Sequence, residues 1–95
     1  MISDYEFDKN KSEMLRDERG VGFEEVIPLI EAGSVIATYP HPNSEKYPGQ
    51  HVHAVSINGY VWLVIFERRN DKIRLVTLYK SRKATKQWLK EFNNG

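Results

Sequence analysis

The stretch VSINGYVWLVIF, residues 55–66, decides the fold. Asn58-Gly59 separates two runs of β-branched and aromatic residues, and a two-residue hairpin turn needs φ > 0 at both positions, which these residues tolerate. Register follows from the turn: Ile57 opposes Tyr60, Val55 opposes Trp62 and His53 opposes Val64. One face of the pair then carries Val55, Trp62, Val64 and Phe66, with His51 and His53 at its margin. The other carries Ala54, Leu63 and Ile65. Apolar side chains on both faces predict that the strand from Tyr60 to Phe66 is central and covered on each side.

Working outward, residues 35–39, 52–57, 60–67 and 73–79 read as four strands. Arg69-Asn70-Asp71-Lys72 forms the next turn, so the last three strands make an antiparallel meander in which Glu67 faces Arg74, an ion pair worth little by default. Upstream, residues 5–19 are polar with a thin stripe of Phe7, Met14 and Leu15, consistent with a surface helix that ends at Gly20. Phe23, Val26, Ile27 and Ile30 form a second helical stripe stopped by Gly33, and Pro28 inside it predicts a kink or two short helices. Downstream, a helix is expected from about Thr85 as N-cap, with Trp88, Leu89 and Phe92 turned inward. The prediction is a single α+β domain spanning 1–95, with two N-terminal helices, a four-stranded, mainly antiparallel sheet and one C-terminal helix.

A chain of 95 residues, 40% hydrophobic and 28% charged, has the composition of one small globular core. It lacks cysteine, which excludes a disulfide framework and thiolate chemistry and suits a reducing cytoplasm. The longest apolar run, Tyr60 to Phe66, is far too short to span a membrane, and no signal-peptide pattern opens the sequence.

The net charge of +1 hides a segregation. Residues 1–45 carry four basic and ten acidic side chains, whereas residues 46–95 carry ten basic and three acidic ones. Between Arg68 and Lys90 there are nine Lys or Arg and only Asp71 as an acid, a field that attracts polyanions, nucleic acid foremost, unless the acidic half folds back and cancels it. Arg82, Lys83 and Lys86 crowd the start of the last helix, where the macrodipole is already positive and each cation costs about 0.3–1 kcal/mol. Folding alone favours acids there. An arriving phosphate would reverse the sign of that local cost.

The connection His41 to Gln50 leads into His51 and His53. Lys46, His51 and His53 are candidate general bases or acids and Tyr47 a stacking surface, set against an ordinary edge loop with exposed imidazoles. A metal reading of His41, His51 and His53 lacks a carboxylate beside them. No phosphate-binding glycine loop, nucleophile elbow or zinc-finger spacing is present.

Several separated blocks carry a family resemblance: Phe7-Asp8 with Lys11, Gly20-Val21-Gly22-Phe23-Glu24-Glu25, His41-Pro42-Asn43, Lys46-Tyr47-Pro48 with Gln50, Asn58-Gly59-Tyr60-Val61, and Ser81-Arg82-Lys83-Ala84-Thr85-Lys86. In order and spacing they resemble the BrnT-like toxins of type II toxin–antitoxin systems across nearly the whole chain. The departures are Glu18-Arg19 where members often have Lys-His, His51 where an arginine is frequent, Leu15 for a frequent asparagine, and a longer stretch from Ile73-Arg74 to Arg82. The resemblance implies a RelE-like fold and a cytoplasmic, RNA-cleaving toxin that blocks translation, acts on RNA that includes ribosome-associated mRNA, and is held inactive by a cognate DNA-binding antitoxin.

For such a reaction, attack of a ribose 2′-OH on the adjacent phosphate needs charge stabilisation more than an elaborate nucleophile, and no metal or cofactor. The expected catalytic set is Arg82 and Lys83 as phosphate clamp, Arg74 and Lys80 adding field, and His51 or Lys46 as proton acceptor. Tyr47 or Tyr79 would stack a base, with Arg68, Arg69, Lys86 and Lys90 extending the nucleic-acid contact. Two other classes share the basic face: a non-catalytic RNA- or ribosome-binding module, and a protein-interaction domain that only receives an acidic antitoxin.

Overall fold

The computed structural model describes residues 5–89. Their elements run β1 (Tyr5–Glu6), α1 (Lys9–Arg19), α2 (Phe23–Glu31), β2 (Val35–Pro40), β3 (Gln50–Ile57), β4 (Tyr60–Arg69), β5 (Lys72–Lys80) and a short α3 (Arg82–Ala84) that continues as a π-helical turn over Thr85–Leu89. The strands form one sheet in the order β1-β5-β4-β3-β2, with β1 parallel to β5 and all other neighbours antiparallel.

The hairpin at Asn58-Gly59 forms as its residues dictate, with φ of 51° and 81°, and Ile57, Val55 and His53 oppose Tyr60, Trp62 and Val64. β4 is central and covered twice. On one face Val55, Trp62, Val64 and Phe66 pack with Leu75 and Leu78 against Leu15, Phe23 and Val26 of the first two helices. On the other, Ala54 and Val61 pack with Ala84, joined by Leu63, Trp88 and Leu89.

The sheet differs from the four-stranded, mainly antiparallel prediction by one strand. Tyr5 and Glu6, assigned from sequence to the first helix, pair in parallel with Ile73 and Arg74. The helix begins only at Lys9, because Asp8 caps it by accepting from the amides of Asn10 and Lys11. Of the expected stripe, Leu15 is buried, while Met14 is exposed. α2 is a single helix with Pro28 inside it, so of the expected kink or two short helices the second is not met. Pro28 and Glu24, whose carbonyl loses its amide partner, are both exposed, so water can replace that bond. At the other end Ser81, not Thr85, is the N-cap, its hydroxyl accepting from the Ala84 amide at 3.0 Å. Lys90 and Phe92 lie outside the described residues.

A clasp joins the two N-terminal helices. Ser12, fully buried, accepts from the Phe23 amide at 2.9 Å, and the Gly22 amide donates to Glu25 Oε1 at 2.7 Å. Gly22 is required here because a Cβ would come within 2.8 Å of the Ser12 carbonyl oxygen. The clasp delivers Glu24 and Glu25 to Arg16, which bonds both carboxylates.

One irregularity in β5 positions the site. Ile65 pairs with Thr77 but Phe66 pairs with Leu75, so Val76 is an extra residue that shifts the register. Side chains on either side of a bulge change faces, which lets Leu75 and Leu78 enter the same core and brings Lys80 opposite Trp62.

Candidate nucleic-acid interface

β1 covers the outer edge of β5 only at Ile73 and Arg74. Farther along, that edge is met by the end of α1. Gly20, in the left-handed conformation at φ 89°, stops the helix and returns its amide to the Arg16 carbonyl, which leaves Arg19 in the last turn. The Arg19 guanidinium Nη1 donates to the Leu78 carbonyl at 2.7 Å. A cleft of about 350 Å³ opens there, lined by Glu18, Arg19, Trp62, Tyr79 and Lys80. A second, of about 230 Å³, shares Arg19, Trp62 and Lys80 and extends to Tyr60 and the Asn58 turn.

Lys80 is held by aromatic faces rather than by an acid. Its Nζ lies 4.9 Å from the Tyr60 ring centroid and 5.7 Å from that of Trp62. Tyr79, on the alternate side of the strand, is exposed. The next residue is buttoned to β4: the Ser81 amide donates to the Val61 carbonyl at 2.9 Å, and the Val61 amide donates to Thr85 Oγ1 at 2.8 Å. Thr85 Oγ1 in turn donates to the Ser81 carbonyl at 2.7 Å. This ring of bonds fixes the backbone that presents Arg82, Lys83 and Lys86, all exposed. None of Arg19, Lys80, Arg82, Lys83 and Lys86 has an ion pair with a described carboxylate.

Other cations among the described residues do meet carboxylates. Glu24 and Glu25 take Arg16, Glu6 takes Lys72 at 3.5 Å and Arg74 at 3.9 Å, and Glu67 takes Arg69 at 3.0 Å. Arg74 and Arg69 are therefore ion-paired at the other end of β5 and β4, away from Lys80, with one Glu6 carboxylate shared between Lys72 and Arg74. Arg68 is exposed on that same end.

The proposed proton acceptors also lie apart from the clamp. His51 pairs with Phe66 and Lys80 pairs with Trp62, four residues away along β4, or about 13 Å, and on the opposite neighbouring strand. His51 and His53 both stack on Phe66, at 5.7 and 4.2 Å between centroids. His53 Nδ1 shares a 2.8 Å hydrogen bond with Thr38 Oγ1, and His51 Nδ1 is buried without a partner. Burial first, then Arg68 and His51, hold the His53 imidazole below its ordinary value of 6.5. Lys46 and Tyr47 stand on the exposed loop leading into β3, with Lys46 Nζ 5.4 Å from the Tyr47 ring and His41 4.6 Å from it on centroids. Arg82 follows Lys80 by two residues, so the sheet does not bring His51 and Arg82 together. Among the described residues no cluster of three or more His, Asp or Glu side chains is arranged to hold a metal.

Arg82 and Lys83 stand in α3 directly after the Ser81 cap, and Lys86 in the π turn that continues it. Sequence reading missed Glu18, Arg19, Tyr60 and Trp62 as site residues. The Gly20 cap signals where Arg19 stands, but pairing Lys80 with Trp62 requires the bulge, which leaves no composition signal. No family model, curated protein or solved structure matches this chain. No described helix is long and apolar enough to cross a membrane.

Proposed function

We propose that the protein is an RNA-directed toxin of a type II toxin–antitoxin pair, acting in the cytoplasm as a metal-independent endoribonuclease with a RelE-like domain. The observation that carries the reading is a set of cations without an ion pair to a described carboxylate: Arg19 and Lys80 line a cleft with Trp62 and Tyr79, and Arg82, Lys83 and Lys86 stand exposed on the segment that follows Lys80. Cations bind a phosphate backbone and the exposed Tyr79 ring can accept an unstacked base, the combination that single-stranded RNA requires. The resemblance of the Ser81 to Lys86 block to BrnT-like toxins supports the same surface, with RNA as substrate and a DNA-binding antitoxin as partner.

One observation favours a second reading. The histidines lie away from the cation cluster, as a non-catalytic RNA- or ribosome-binding module would allow. Incubating purified protein with RNA, with and without chelator, separates the two: the ribonuclease reading expects chelator-resistant products. Arg82→Ala/Lys83→Ala should abolish growth arrest on induction without unfolding the domain, because both side chains are exposed. A folded double variant that stays fully toxic contradicts the assignment.

A further inference from the structure

Resting on the ribonuclease reading, we infer that Glu18 is the proton acceptor of the reaction and that Arg19 and Lys80 hold the scissile phosphate, in the cleft at the outer edge of β5. Three charged groups of both signs line this one cavity of about 350 Å³ without collapsing onto each other. Glu18 forms no ion pair with Arg19 or Lys80. The reason is visible in what each cation already contacts. Arg19 spends a donor on the Leu78 carbonyl, and Lys80 lies over the Tyr60 and Trp62 rings. Arg19 and Lys80 are positioned by those contacts, Glu18 lines the same space as an exposed side chain, and no ion pair among the three has to break when a phosphodiester enters.

The composition of the cleft suits one chemistry. The Glu18 carboxylate takes the proton of a ribose 2′-OH as the 2′-oxygen forms its bond to phosphorus. Negative charge growing on the phosphoryl oxygens is met by the Arg19 and Lys80 cations. The bond from phosphorus to the 5′-oxygen breaks, that oxygen takes a proton from water entering the open cleft, and Glu18 later returns its proton to solvent. The products are a 2′,3′-cyclic phosphate and a 5′-hydroxyl end. Tyr79, exposed at the rim, offers a ring to the base beside the scissile bond.

The test uses the full chain with a short RNA, and separately with adenosine 3′-monophosphate as a probe that needs no turnover. Glu18→Gln should cut cleavage by about 10²-fold or more while RNA binding is kept, and Glu18→Asp should recover part of the rate. In calorimetry, Lys80→Met should weaken binding of the nucleotide roughly tenfold or more, and Glu18→Gln should tighten it. Glu18→Gln cleaving at the rate of the unchanged chain, while Arg82→Ala/Lys83→Ala fails to cleave, overturns this assignment and leaves the ribonuclease reading standing. An unchanged chain that binds RNA and never yields cyclic phosphate ends overturns both. Nucleotide affinity unmoved by Lys80→Met and Glu18→Gln overturns the cleft as the phosphate site.

Discussion

Arg16 and Arg19 leave the last turn of α1 three residues apart and meet opposite fates. Arg16 is taken by two carboxylates that the Ser12–Phe23 clasp delivers from α2. Arg19 receives only a backbone carbonyl, which orients a guanidinium without cancelling its charge. The same contrast runs along β5, where Lys72 and Arg74 meet Glu6 at one end and Lys80 meets aromatic rings at the other. Glu6 brings a carboxylate of the acidic first half to Lys72 and Arg74 at one end of β5, and Lys80 at the other end has no ion pair with a described carboxylate. Segregated charge in a sequence therefore becomes a functional surface only where the fold withholds the opposite sign.

The clasp is the part of this contrast that stability can break. Phe23→Ala removes a fully buried ring that packs 5.4 Å from Phe7 between α2 and the sheet, and should cost about 3–5 kcal/mol in urea unfolding. Ser12→Ala leaves the buried Phe23 amide without its acceptor and should cost about 1–3 kcal/mol by the same measurement. Freeing Arg16 sharpens the comparison directly. Glu24→Gln/Glu25→Gln gives Arg16 the same uncompensated state as Arg19, so RNA affinity should rise and the slope of log affinity against log salt should steepen by up to about 0.7. A slope unchanged in that variant would show that the RNA path does not reach Arg16.

The smallest expected effect concerns the histidine end. Because His53 is held below its ordinary value of 6.5, it is neutral in both folded and unfolded chains well above that pH and contributes no pH dependence there. As pH falls through 6.5 the unfolded chain binds the proton first, so stability declines until the folded form also protonates, and then levels. His53→Gln should flatten this part of the profile, checked by urea midpoints at about pH 7.5 and about pH 5. A profile identical in the variant would assign the pH dependence to other groups.

Much of the fold was legible because a single turn fixed it. Asn58-Gly59 set the register of β3 on β4, the alternation in β4 announced two covered faces, and Gly20 marked the end of α1. β1 was hidden because two residues carry no periodicity, and its pairing depends on the distant Ile73-Arg74 segment. The π turn after Ala84 and the bulge at Val76 were hidden for a related reason: both are settled by how β5 and the last helix pack on β4, and neither changes the local pattern of apolar residues. The site was half legible. Lys80 and Tyr79, named from charge and position, line the cleft, and Arg82, Lys83 and Lys86 are exposed, but Arg74 and Arg69 are ion-paired, and His51 and Lys46 stand at the other end of the sheet. Nothing in one-dimensional spacing separates a paired cation from an unpaired one when its partner lies more than 60 residues away, as Glu6 does from Lys72.

The central claim is that the cations at the end of β5 are uncompensated and bind RNA. Its most direct test is the salt dependence of RNA affinity for the unchanged chain and for Lys80→Ala/Arg82→Ala/Lys83→Ala. Loss of three phosphate contacts should lower the magnitude of the slope of log affinity against log salt by about 2 and weaken binding most at low salt. Equal slopes for the two proteins would contradict the account.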